Sequence, residues 1–215
     1  IHGDQPEAFP NLWGLNLYHH VRSEREQARD VAERFVTLAE ESGDGSHLVA
    51  GLPSLSQCSW IEGNHTAAET DLMRCIELYD VAQHSMHGAM YGMDSLSYSW
   101  LTLSQVFWIT GRASKAAAAA DAALSHARDL NHTNTIGMAL LYQIMLKQQN
   151  GLREEVAHDV PEALDYCARM GVSTPTSYIA MIANWAQGDV AASQEIYEVH
   201  NMIGAQLGMT YYRSL

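Results

Sequence analysis

A chain of 215 residues with 47% hydrophobic and only 17% charged residues has enough apolar content to bury a real core, which excludes a disordered segment. Its formal net charge is −13, with lysine only at Lys115 and Lys147, and such a surface repels phosphate backbones, so a nucleic-acid partner is not expected. No apolar run approaches the roughly 18 residues of a membrane span, and no leader pattern is present.

From the N-terminus, amphipathic stretches broken by small turn residues point to helices, with almost no strand signal. A helix pair is expected over residues 9–42, turning in "VRSEREQA" at Ser23. A second is expected over 46–80, turning in "IEGNHTAA" at Gly63. Residues 81–93 read as a long connection. The third pair spans 94–130 and turns in "ITGRASKA" at Gly111. The fourth spans 134–170 and turns in "QNGLREEV" at Gly151. The fifth, 173–207, turns in "AQGDVAAS" at Gly188, and 208–215 begins a further helix.

The five breakers are spaced by 40, 48, 40 and 37 residues. Glycine suits such turns because it reaches φ > 0 without a Cβ clash. Five residues after the breaker stand Ala28, Ala68, Ala116, Val156 and Ser193. Nine after it come Ala32, Leu72, Ala120, Val160 and Tyr197, and twelve after it Phe35, Cys75, Ala123, Ala163 and His200. Steps of four and three keep these on one stripe facing the first helix, and small residues let the axes approach. The complementary stripe lies eight before the breaker (Leu15, Leu55, Leu103, Gln143, Ala180) and three before it (His20, Trp60, Trp108, Gln148, Trp185).

This counting resembles tetratricopeptide (TPR) repeats of about 34 residues. The resemblance implies an all-α, right-handed superhelix of about five antiparallel helix pairs, an α-α solenoid. The 48-residue interval then carries a surplus, "VAQHSMHGAMYGMD". His84, His87 and the methionines have copper-type ligand chemistry, yet no cysteine or carboxylate pair supports them, and Asp94 reads better as the N-cap of a helix starting near Ser95. No metal is expected. Cys58, Cys75 and Cys167 share no CxxC spacing, which points to free thiols and a cytoplasmic setting. The "NHT" sequons at Asn64 and Asn131 read as chance.

Two stretches resemble something narrower. "FPNLWGLNLYHHVRSEREQARDVAERFVTLAEESGD" is similar to the C-terminal repeat region of bacterial adenylate/guanylate cyclase-type multidomain regulators with an AAA-type ATPase module. "YGMD" at Tyr91 to Asp94 resembles that family's Tyr-Gly-Gln-Asp-Pro-Gly signature, with Met93 in place of glutamine and Ser95-Leu96 in place of Pro-Gly. The resemblance reaches only the repeat region. It implies a bacterial signalling protein in which this segment serves catalytic modules elsewhere. No phosphate loop, paired-aspartate metal site or GxSxG elbow is present, so no catalytic residue and no cofactor is expected. His19 and His20 point apart around the helix and do not form a two-histidine site.

First helices line the concave surface of a solenoid. Positions expected to face it are Trp13, Leu17 and His20; Tyr98, Leu101, Gln105 and Trp108; Met138, Leu141, Met145 and Gln148; and Tyr178, Ile182 and Trp185. Such a surface suits a protein or peptide segment. The leading reading is a non-catalytic interaction and regulatory segment, whose partner could be the N-terminal catalytic modules of the same chain. The alternative is a sensor that holds a peptide or small-molecule effector in the groove. The start at Ile1 rather than Met, and apolar ends carrying Met209, Tyr211 and Tyr212, also lead us to expect an excised piece of a longer array that forms homodimers through its ends.

Overall fold

The computed structural model describes residues 8–206. These form twelve helices: α1 (Ala8–Val21), α2 (Arg25–Ser42), α3 (Gly45–Ile61), α4 (His65–Leu78), α5 (Val81–His84), α6 (His87–Tyr91), α7 (Ser95–Ile109), α8 (Ala113–Asp129), α9 (Thr133–Gln149), α10 (Arg153–Met170), α11 (Ser173–Gln187) and α12 (Val190–Gln206). No strand occurs among the described residues. Met209, Tyr211 and Tyr212, and the end-to-end contact expected of them, lie outside the described residues.

One turn geometry recurs at all five breakers, and again between pairs at Asn131 and Gly171. Ser23, Gly63, Gly111, Gly151 and Gly188 all sit in the left-handed region, with φ of 58°, 81°, 77°, 73° and 82°. At Gly63 two backbone bonds close the helix: the Gly63 N–H donates to Trp60 O at 3.0 Å and the Asn64 N–H to Ser59 O at 2.8 Å. The same two bonds recur around Ser23, Gly111, Gly151 and Gly188. They satisfy carbonyls that a helix end would otherwise leave open. Ser23 holds this conformation despite its Cβ, which a non-glycine residue adopts at a cost of about 1–2 kcal/mol.

The second helices of the first four pairs bury the expected small-residue stripe. Ala28, Ala32 and Phe35 in α2, Ala68, Leu72 and Cys75 in α4, Ala116, Ala120 and Ala123 in α8, and Val156, Val160 and Ala163 in α10 are all buried. The stripe fails in α12, where Ser193 and His200 are half-buried and Tyr197 is exposed. The first-helix stripe holds at Leu103, which is fully buried, but fails at Leu15, which is 40% exposed. Each second helix also packs on the following first helix (α2 on α3, α4 on α7, α8 on α9, α10 on α11). Successive first helices touch one another: α1 meets α3, α3 meets α7, α7 meets α9, and α9 meets α11. That row forms the inner layer.

Pro53 lies inside α3 and has no N–H for the carbonyl of Val49 one turn back. The vacated acceptor is taken by the Cys75 thiol, which donates to Val49 O at 3.3 Å from the neighbouring helix α4. Burial pushes this thiol up to about 12, so it remains a protonated donor.

The stretch expected as a plain connection is two short helices, α5 and α6, wedged between the second and third pairs. Its histidines are buried, at 3% exposure for His84 and 4% for His87. His84 Nδ1 accepts the Asp80 N–H at 2.8 Å, while His87 bonds the hydroxyls of Ser95 at 2.9 Å and Ser46 at 3.2 Å. Among the described residues no group of three metal-ligating side chains converges. Asp94 caps α7, its Oδ1 accepting the Ser97 N–H at 2.8 Å and its Oδ2 the Tyr79 hydroxyl at 2.7 Å. Burial raises the Asp94 carboxyl, but hydrogen bonds from His126, Ser97 and Tyr79 outweigh it and hold the group below its usual range.

Candidate functional site

The inner row of first helices encloses a cleft of about 330 Å³. Residues six, ten and thirteen before the turn point into it from successive helices. α1 gives Trp13 and Leu17, α3 gives Ala50, Pro53 and Gln57, α7 gives Tyr98, α9 gives Met138, and Thr174 arrives from α11. Small residues on α3 make the hollow, and aromatic and methionine side chains on its neighbours wall it. Tyr91 and Gly92 close one side, with the Trp13 and Tyr91 rings 6.1 Å apart at a 55° tilt. Gly92 adopts a φ of 72°, and a Cβ there would meet the Trp13 ring at 3.7 Å.

Among the described residues no charged side chain lines this cleft. Its polar rim is made of amides and hydroxyls. Asn134 donates to Gly92 O at 2.8 Å and Asn16 to Ala28 O at 2.8 Å, so both are committed to the scaffold. Gln57 makes no side-chain hydrogen bond among the described residues and is available to a ligand's backbone. The arrangement can bury apolar side chains and bond a main chain. Among the described residues its hydroxyls, Ser54, Tyr91, Ser95, Tyr98 and Thr174, share the lining with no carboxylate, histidine or cysteine.

Of the residues expected to face the groove, Trp13, Leu17, Tyr98 and Met138 line the cleft. Leu101 is fully buried among Ala123, Ile136 and Ala139, while Leu141 and Ile182 are buried with Val156 and Ile179. Gln105 is buried and accepts from Gln149 Nε2 at 2.9 Å. Trp108 packs against the cluster of Leu72, Phe107 and Ala116. Met145, Tyr178 and Trp185 are half-buried against the core of the last two pairs, with the Arg153 guanidinium over the Trp185 ring at 4.8 Å. Gln148 lines a shallow hollow against α12. His20 is buried at the far end of α1, in a different cleft. None of the positions expected to face the groove lies on α3. The signal there was the run Ala50, Pro53, Ser54 and Gln57, steps of three, one and three that share one helical face.

No protein-family model matches the chain, and no curated protein matches it in sequence. Solved structures do match its fold. A Podosopora anserina protein described as a kinesin light chain with nearly identical TPR-like repeats superposes with a TM-score of 0.61 at 14% identity, over 95% of this chain and 98% of that one. A single-substitution variant of it gives a TM-score of 0.61 at 14% identity, over 94% and 97%. BtubC (BKLC) from P. vanneervenii superposes with a TM-score of 0.59 at 18% identity, over 81% and 71%. The chain therefore folds as an all-α, TPR-like superhelix. Among the described residues no helix is long and apolar enough to cross a membrane.

Proposed function

We propose that this chain is a non-catalytic interaction module that holds an apolar protein segment in the cleft of its first helices. One observation carries the reading: five successive first helices line one uncharged cleft, into which α1, the α6 flank, α7 and α9 bring Trp13, Tyr91, Met93, Tyr98 and Met138. Large rigid aromatics around a hollow are the usual anchors of such interfaces, and a spare amide at the edge fixes a main chain. A TPR-like architecture agrees with this use. The finer reading, supported by the sequence resemblance, is regulatory: the bound segment couples a partner to cyclase or ATPase modules of a cytoplasmic bacterial signalling protein, with those modules themselves as candidate partners.

The test is selection from a displayed peptide library, followed by titration of the selected peptide against variants. Trp13→Ala and Met138→Glu are expected to weaken binding roughly tenfold or more, with far-UV circular dichroism unchanged. Val199→Glu, at an exposed position of α12 outside the cleft, serves as the control. Equal binding by all three variants would overturn the assignment. For the regulatory reading, Met138→Glu is expected to abolish co-purification with separately expressed cyclase or ATPase modules.

A further inference from the structure

A second cleft lies at the opposite ends of the first helices and shares no lining residue with the concave one. It measures about 350 Å³, near the lower end of small-molecule pockets at about 300–1,000 Å³, which suits a metabolite-sized body. The turns at Ser23 and Gly63 form its rim, and Trp60, Ile61 and Ile109 supply apolar walls from two first helices. Ile109, the last residue of α7, is 54% exposed and packs in none of the buried clusters.

The charge of this cleft departs from that of the chain. Among the described residues Glu62 is the one carboxylate lining it, and two hydrogen bonds of 2.7 and 2.6 Å commit it to the Arg29 guanidinium. Arg25 makes no ion pair among the described residues, although the chain carries a formal charge of −13. Arg25 opens α2, whose N-cap residue Glu24 makes no side-chain cap bond, because its carboxylate is held by His19 at 2.6 Å and Arg22 at 2.9 Å. The positive end of α2 therefore adds to the guanidinium. Burial, followed by the charge of Arg25, lowers His20 to about 4, so it stands in the wall as a neutral ring. His65 opens α4, and its Nδ1 is buried without a hydrogen-bond partner, leaving polar capacity the protein does not use.

We propose that this cleft binds a small monocarboxylate with a flat apolar body, the carboxylate on Arg25 and the ring between Trp60 and Ile109. One uncommitted cation beside a neutralised Glu62 matches a single negative charge; a phosphate dianion would find too few donors and a nearby carboxylate. The occupant bridges the turns of the first two pairs and the end of the third.

Phenylacetate is the probe, with 2-phenylethanol as its neutral counterpart and acetate lacking the ring. Titration by NMR of the whole chain is expected to move Trp60 indole and His65 ring signals with phenylacetate at millimolar or lower concentration. Acetate should leave them unmoved. Arg25→Gln is expected to weaken phenylacetate roughly tenfold or more without changing 2-phenylethanol, and Ile109→Glu to weaken both. Equal affinity of the wild type for phenylacetate and 2-phenylethanol overturns the carboxylate assignment. Absence of any shift at Trp60 or His65 with phenylacetate, in a folded sample, overturns the site.

Discussion

Acidification should loosen the junction between the second and third pairs, because His87 is neutral there and costly to charge. Its ring is 4% exposed and lies between Ser46 and Ser95, packed against His84 at 5.0 Å and Tyr91 at 5.3 Å. His47 and His84 add unfavourable charge as they protonate, while Asp94 opposes them. Burial foremost, then His84, brings the group from 6.5 to about 4. The unfolded chain takes up this proton below about 6.5; the folded chain takes it up only near 4. The folded state is therefore fully favoured above that upper value and loses the contribution as pH falls between the two. At about 1.4 kcal/mol per pH unit, the gap is worth about 3 kcal/mol, a large part of a typical net stability of about 5–15 kcal/mol. Urea unfolding followed by circular dichroism at several pH values isolates it when wild type and His87→Gln are compared. Groups that do not interact with His87, including His20 with its similar displacement, act in both proteins and cancel. Between about pH 7 and pH 4.5 the stability gap should change by about 2–3 kcal/mol, with wild type losing more. A gap that stays constant over that range would refute the reasoning.

Ser23→Gly should raise stability by about 1 kcal/mol in the same assay, since the turn keeps its positive φ without a Cβ, and Gly63→Ala should lower it by about 1–2 kcal/mol. Gly88→Ala would place a Cβ 2.9 Å from two His132 ring atoms, one of them at the base of the ring. Calorimetry should show a loss of about 1–3 kcal/mol, because that ring bonds the Thr135 hydroxyl, which in turn accepts from the Asp94 N–H. Cys75→Val should cost about 1–3 kcal/mol by orphaning the buried Val49 carbonyl, and Cys75→Ser, which keeps a donor, should recover part of the loss on urea titration.

The repeat class is legible because the chain must solve one problem repeatedly: a tight helix–helix turn demands φ > 0, so Gly63, Gly111, Gly151 and Gly188 recur, and small residues follow at fixed steps. Ser23 is legible only through its alignment with those turns, since its own chemistry does not announce the conformation. Helices of four and five residues carry no periodicity, so α5 and α6 were hidden in what read as a connection. The groove was legible in part. Trp13, Leu17, Tyr98 and Met138 reach the cleft, but neighbouring repeats bury the faces that carry Leu101, Gln105, Leu141 and Ile182. Gln105 apart, both groups are apolar and helically spaced, so hydrophobicity cannot separate an inner wall from an inter-repeat seam. The hollow itself is made by small residues on α3, which a search for large anchors overlooks.

The α5–α6 wedge alters how the molecule should come apart. In a simple array each unit touches only its neighbours, and opening spreads from the ends one unit at a time. Here Tyr91 joins the cluster of Phe9, Leu12 and Phe35 in the first pair, His87 reaches Ser46 in the second and Ser95 in the third, and Gly92 accepts from Asn134 in the fourth. A short insertion thus cross-links four units that would otherwise form a linear chain. The first four pairs should open together in hydrogen exchange as one cooperative block, with α11 and α12 exchanging separately and faster.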